Sequence, residues 1–279
     1  MKSPETVDMR TTPPRRPRGR SFRAALAVST LAFAGCASRP AAVIDEEKLI
    51  DLTYSFDEST VYWPTASRFR LERVAYGYNE EGRWYASNDF HASEHGGTHL
   101  DAPIHFAEGQ PTAEAIELRR FFGPARVIDV SVRCEDDPDY LLAPEDVSEH
   151  ERRYGRIEPG SVVLVRTGFG ARYPDLVRYL GSDVRGKVEG LEFPGIGAEA
   201  ARVLVEREID LVGLDTASID HGPSEDFAAH RVFAEAGIPG VENVAHLERV
   251  PPTGATIIAL PMKIAGGTGG PCRIVAVLP

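Results

Sequence analysis

Gly197-Ala198-Glu199-Ala200-Ala201-Arg202-Val203-Leu204-Val205-Glu206-Arg207-Glu208-Ile209-Asp210-Leu211-Val212-Gly213-Leu214 is the stretch that decides the fold class. Ala201, Leu204 and Val205 recur at helical spacing, which predicts an amphipathic helix over 197–208. Leu211–Leu214 is a short apolar run closed by Asp215, the pattern of a buried strand. A helix emptying directly into a strand is the α-to-β unit of mixed α/β proteins. Outward from it, apolar runs bounded by Gly, Pro or Asp predict strands at Leu49–Leu52, Val127–Val132, Val162–Val165, Ile257–Leu260 and Ile274–Leu278. No internal repeat divides the chain, and Pro and Gly are dispersed rather than pooled into a linker. Residues 48–279 therefore read as one α/β domain with a central mixed sheet flanked by helices. The polar stretch Tyr173–Glu192 reads as a surface excursion.

The first 35 residues are of another kind. Lys2, Arg10, Arg15, Arg16, Arg18, Arg20 and Arg23 face only Glu5 and Asp8, and the apolar run Ala24–Gly35 follows. A basic start, a short apolar stretch and small residues before a cysteine read as a signal peptide, too short to span a bilayer comfortably. Phe33-Ala34-Gly35-Cys36 resembles a bacterial lipobox, with Phe where Leu is commoner. That resemblance implies cleavage before Cys36, lipidation of Cys36, a tether over 36–47, and an exported protein held by its lipid on the periplasmic side of a bacterial membrane. The alternative is an uncleaved cytosolic chain, and Arg15-Arg16 also suggests twin-arginine export. The whole chain carries 31 basic and 42 acidic residues, a net charge of −11. Without the leader 24 basic face 40 acidic residues, a net of −16, which excludes the basic footprint of a nucleic-acid binder and leaves the lipid as the only membrane contact. Cys134 and Cys272 sit in no ligand spacing and read as two buried thiols, a disulfide being the alternative in an oxidising compartment.

The segment with most chemistry is His95-Gly96-Gly97-Thr98-His99-Leu100-Asp101-Ala102-Pro103-Ile104-His105. Gly96, Gly97 and Pro103 favour a tight, non-helical backbone. A turn followed by an extended stretch converges alternate side chains on one point, so His99 and Asp101 share a face. Imidazole nitrogen with carboxylate oxygen suits a borderline divalent cation such as zinc or manganese. A lone histidine would be read as a polar loop residue; three of the chain's eight histidines beside an aspartate are not.

This run matches HxGTHxDxPxH and resembles the signature of the cyclase family, which includes bacterial kynurenine formamidases and isatin hydrolases. The likeness continues at Gly213–Asp220, at Ala229-His230 with Glu242-Asn243-Val244, and at Pro261–Ile264 with Gly266-Gly267. The resemblance implies a sheet or barrel flanked by helices, a homodimer, and two divalent ions. It places His95, His99 and Asp101 on one ion and Asp101, His230 and Glu242 around the other, with Glu242 bridging. It gives His105 the part of catalytic acid/base and Trp63 a place in the substrate pocket; Trp63 before Pro64 is equally a packing element. Chemistry agrees, since a hydrolase needs a nucleophile at neutral pH and a divalent ion lowers the pKa of water from about 16 toward about 7.

The expected activity is hydrolysis of a small amide or lactam C–N bond. The export leader and the extra segment near 173–192 depart from kynurenine formamidases and raise isatin-type ring opening to equal standing. The rivals are a lactone hydrolase or cyclase of secondary metabolism, and a lipoprotein that binds metal or ligand without turnover; His105 argues against the binder. Gly266-Gly267-Thr268-Gly269-Gly270 lacks the GK[ST] of a phosphate loop and reads as a turn rather than a close approach to the site. Asp215 and Asp220 read as carboxylates that orient ligands or cap strand ends; His91 and His221 match no ligand position.

Overall fold

The computed structural model describes residues 45–279. The stretches expected to be a signal peptide and most of a tether, with Cys36, lie outside the described residues; Asp45 begins the described part by capping a single turn at Glu46–Lys48. In chain order the strands are β1 (Leu49–Asp51), β2 (Arg70–Tyr78), β3 (Trp84–His91), β4 (His99–Asp101), β5 (Phe122–Asp129), β6 (Leu141–Leu142), β7 (Val162–Arg166), β8 (Gly195–Ile196), β9 (Leu211–Leu214), β10 (Gly240–Glu242), β11 (Thr253–Pro261) and β12 (Gly269–Val277). The helices are α1 (Ser131–Asp136), α2 (Pro144–Tyr154), α3 (Leu176–Leu180), α4 (Ala198–Glu206) and α5 (Ala228–Glu235).

The main sheet runs β1-β12-β11-β5-β7-β9-β10-β4, and β4 pairs back onto β12, so seven strands close into a barrel with β1 added alongside β12. The β5-β7-β9-β10 run is parallel and the rest antiparallel. Parallel strands are covered on both faces, which is why β7 and β9 read as unbroken apolar runs. Val162 and Leu164 belong to one buried cluster with Leu100, Leu211, Val241, Ile257 and Ile274, all from barrel strands. Val163 and Val165, pointing the other way, join Ala201 and Leu204 of α4 and Phe233 of α5. The predicted helix at 197–208 is α4, and the strand Leu211–Leu214 is β9 residue for residue.

Two expectations need correction. The strand predicted to Val132 stops at Asp129, whose carboxylate accepts the Ser131 backbone N–H at 3.0 Å and its hydroxyl at 2.6 Å, an Asx turn that starts α1. The stretch Tyr173–Glu192 is a surface excursion only in its second half. Tyr173 stacks on Tyr54 with centroids 3.7 Å apart, and buried Tyr179 of α3 donates toward Asn243 Oδ1 (2.9 Å) and the Asp215 carbonyl (3.1 Å). The charged neighbours Asp175 and Arg178 masked these inward-facing rings. Cys134 and Cys272 are free and buried.

Candidate metal centre

The closing strand β4 is only three residues long, yet it is paired on both sides. Against β10 it sets Glu242 opposite His99 and Gly240 opposite Asp101; against β12 it sets Pro271 opposite His99 and Gly269 opposite Asp101. Opposed residues of an antiparallel pair share a face, so this register brings Glu242, more than a hundred residues away in sequence, onto the face of His99 and Asp101. The glycines make the room. A Cβ at Gly269 would stand 2.6 Å from His95 Cε1, and one at Gly96 would stand 2.0 Å from the Tyr62 ring. The glycine-rich run is thus a close approach at Gly269 as well as a turn at Gly266, where φ is +72°.

His230 comes from α5. The carboxylate of Asp220 accepts the Ala229 and His230 backbone N–H groups at 2.9 and 3.0 Å, holding the first turn of the helix, and meets His230 Nδ1 at 2.6 Å. The other ring nitrogen, Nε2, lies 3.2 Å from Asp101 Oδ2 and 3.1 Å from Glu242 Oε1. His99 Nε2 lies 3.2 Å from Asp101 Oδ1 and 3.4 Å from Glu242 Oε2, and His95 Nδ1 lies 2.6 Å from Asp101 Oδ1. Asp101 therefore touches all three imidazoles and Glu242 touches two, and His95, His99, Asp101 and Asp101, His230, Glu242 form two metal-sized groups sharing Asp101.

The outward nitrogens fix which way the lone pairs point. His99 Nδ1 faces the Gly97 carbonyl at 2.9 Å, which can only accept, so Nδ1 carries the proton. His230 Nδ1 donates to Asp220. His95 Nε2 meets Thr268 Oγ1 at 2.8 Å, and that hydroxyl spends its proton on Glu94 Oε2 at 2.7 Å, so it accepts from His95. With the rings neutral, all three inward nitrogens aim lone pairs at carboxylate oxygens that also only accept. His99 Nε2 is buried with no hydrogen-bond partner. A buried set of acceptors facing one another needs protons or a cation between them, and nitrogen with oxygen in this ratio fits a divalent metal.

Charge follows the same logic. Burial raises the Asp101 carboxyl, but His95, His99 and His230 outweigh it and hold it well below the usual carboxylate range. Burial and then Asp101 push Glu242 up. Burial depresses the His99 imidazole, yet Asp101 and Glu242 lift it to about 9; His230 is likewise raised by Asp101, Asp220 and Glu242 against burial. The cluster draws positive charge.

His105 contributes no atom to this cluster. Its ring stacks on His95 at 3.9 Å between centroids, and burial first of all lowers it to about 4. It faces a cavity of about 310 Å³ whose floor is the cluster and whose walls include Val61, Tyr62, Trp63, Phe106 and Phe227. Trp63 both lines this cavity and packs edge-on against Phe193 at 6.4 Å.

Against known proteins, residues 50–221 match the family model described as "Putative cyclase". The chain belongs to the cyclase family of hydrolases. The cyclase-family chain is 31% identical to "Isatin hydrolase" of Roseibium aggregatum over 72% of its length and 78% of that relative. It is 30% identical to "Kynurenine formamidase" of Salinibacter ruber over 81% of its length and 96% of that protein. The solved structure of isatin hydrolase A from Ralstonia solanacearum superposes with a TM-score of 0.76 at 32% identity, covering 83% of this chain and 92% of the other. The family likeness agrees with the closed barrel and its flanking helices.

Sequence reading missed Glu94 and Thr268, though Glu94 adjoins His95 and Thr268 sits in the glycine run. Only the fold shows that they meet. Asp220 holds His230, whereas buried Asp215 accepts from Thr167, Gly168 and Gly170 and braces that loop instead. Among the described residues His91 and His221 join neither metal-sized group.

Proposed function

We propose that this chain is a metal-dependent hydrolase that opens a C–N bond in a small aryl amide, of the aryl formamide or fused lactam kind. One observation carries the reading: three imidazole lone pairs and two buried carboxylates converge on the floor of an aromatic-walled cavity. His95, His99 and Asp101 would hold one ion, and Asp101, His230 and Glu242 a second, with zinc and manganese both suited to the donors. A divalent ion bound there supplies Lewis acidity toward a carbonyl oxygen and water acidic enough to attack at neutral pH. The chain's own part is to place and protonate. Trp63, Phe106 and Phe227 offer flat apolar contact to a ring, and the cavity is of the size that takes one small ligand. His105, neutral and free of the cluster, can take a proton from the attacking water and return it to the leaving nitrogen.

Replacing the acid/base separates an enzyme from a binder. His105→Ala should keep the wild-type metal content by elemental analysis while hydrolysis of a panel of formanilides, isatin-type lactams and lactones falls by about 10²–10⁴-fold. Equal turnover by variant and wild type, or turnover by neither, would end the proposal; turnover of lactones alone would move the substrate class to esters.

A further inference from the structure

A second depression, of about 480 Å³, adjoins the catalytic cavity; Arg68, Arg70, Arg185, His91 and Ser67 line it, with Glu58 as its one carboxylate among the described residues. β2 and β3, which build one side of it, pair only with each other as a two-stranded ribbon beside the barrel, with a one-residue bulge between Arg73 and Ala75. At the base of that ribbon Arg70 stands directly opposite His91, and opposed residues share a face. Phe69 ties the base down, stacking on Phe90 at 6.0 Å and meeting Phe56 edge-on at 5.9 Å. Arg185 arrives from the loop after α3, where the Gly186 N–H donates to the Pro64 carbonyl at 2.9 Å. The two hollows share a wall. Ala66 and Ser93 line the catalytic cavity while Ser67 and His91 line the depression, and the Ser93 N–H donates to the Ser67 carbonyl at 3.1 Å.

The charge in this depression is left open. Among the described residues Arg68, Arg70 and Arg185 enter no ion pair with a carboxylate. Two other depressions of similar size show the opposite arrangement. In one of about 390 Å³ beside α2, Arg133 is paired to Asp146 and, at 3.0 Å, to Glu149, which also takes Arg153. In one of about 380 Å³ at the start of β9, Arg119 and Arg120 close on Asp210 at 3.1 and 3.8 Å. Carboxylates are plentiful in a chain of net charge −11, yet three guanidiniums here meet only Glu58. Water suffices for one exposed arginine; three from two separate segments, facing one hollow, focus positive potential there.

We infer that Arg68, Arg70 and Arg185 form an oxyanion site at the rim of the catalytic cavity, taking a carboxylate or phosphate group with Ser67 and His91 beside it. A guanidinium fork offers two parallel N–H groups to two oxygens of such a group, and Phe69 gives the hollow one apolar wall. The anion can come from two sources. It is either an acidic substituent of the substrate, reaching over the wall at Ala66 and Ser67, or a free anion. The first source joins the site to the reaction, because an acidic group directed to the rim leaves the amide facing Asp101 and Glu242 on the cavity floor. That half rests on the hydrolase reading above; the oxyanion site itself does not.

Calorimetric titration of the metal-loaded protein with inorganic phosphate tests the site without turnover. Arg68→Gln combined with Arg70→Gln should weaken phosphate binding by about tenfold or more. Arg185→Gln, from the other segment, should act the same way, and Glu58→Gln, which removes the opposing carboxylate, should tighten it. Misfolding cannot produce that gain, and metal content reports that each variant is folded. Kinetics then identifies the source. If the substrate supplies the anion, the arginine changes raise KM for carboxylate-bearing formanilides by a similar factor, with kcat kept and unsubstituted formanilide untouched. If a free anion supplies it, phosphate affinity falls while both KM values stay. Phosphate bound equally by wild type and arginine variants, or by neither, with no KM that follows the arginines, would overturn the inference. A protein that binds phosphate through these arginines yet hydrolyses nothing would sink the hydrolase reading and leave the oxyanion site standing.

Discussion

A neutral imidazole has one proton to give, so whatever holds its outer nitrogen decides what the inner one can do. Thr268 holds His95 and Asp220 holds His230, at 2.8 and 2.6 Å. Partners of this kind are worth about 10–100-fold in metal affinity. Thr268→Val keeps the shape but removes the acceptor, and should weaken metal binding by that factor in calorimetric titration of chelated protein. Thr268→Ser should restore it, since a hydroxyl returns. Glu94→Gln should show a smaller loss, because its amide oxygen can still accept from Thr268. Wild-type affinity in Thr268→Val would remove these residues from the site. This part was illegible in sequence for a plain reason. His95, His99, Asp101 and His105 announce themselves by spacing, but a lone Thr among glycines and a Glu on a loop look like ordinary polar residues until β12 is laid beside β4.

At the scale of elements, legibility followed burial pattern. α4 and β9 were readable because one face, or the whole run, is apolar. α2 was missed because its buried side is unusual: Asp146, Val147 and His150 face inward. His150 has no partner at Nε2, and burial first, then Arg126, lowers it from its ordinary 6.5 to about 4 against a small pull from Glu151. A base held neutral by the fold favours folding fully above pH 6.5 and progressively less as pH falls toward 4, because the unfolded chain takes up the proton first. His150→Leu should therefore flatten that acid limb. Urea midpoints at pH 7, 5.5 and 4.5 would show the wild type falling more steeply than the variant; parallel falls would mean that His150 does not titrate in this window. The β2–β3 ribbon was missed by the same logic reversed, since its apolar residues face no core and its bulge breaks the alternation.

For the molecule as a whole, two of the five metal-facing donors lie on the three-residue strand that closes the barrel. His99 and Asp101 sit on the strand that closes the ring, Glu242 sits on the neighbour across one seam, and Thr268 leads into the neighbour across the other. A cation held by His99, Asp101 and Glu242 would fasten β10 to β4, and through His95 and Thr268 would steady β12 as well; binding the folded chain alone, it would add stability by mass action, about 4 kcal/mol at a thousandfold excess over Kd. At about 2–4 °C per kcal/mol for a domain of this size, exhaustive chelation should lower Tm by roughly 10 °C, and restoring zinc or manganese should bring it back. The loss should also have a place. Backbone amides of 97–101, 240–243 and 268–272 should exchange faster in the chelated protein before those of β5 and β7, whose strands lie on the far side of the closed ring. Exchange that quickens evenly over the barrel, or a Tm indifferent to chelation, would mean that the seam holds without a cation and that the cluster is a buried network of protonated histidines.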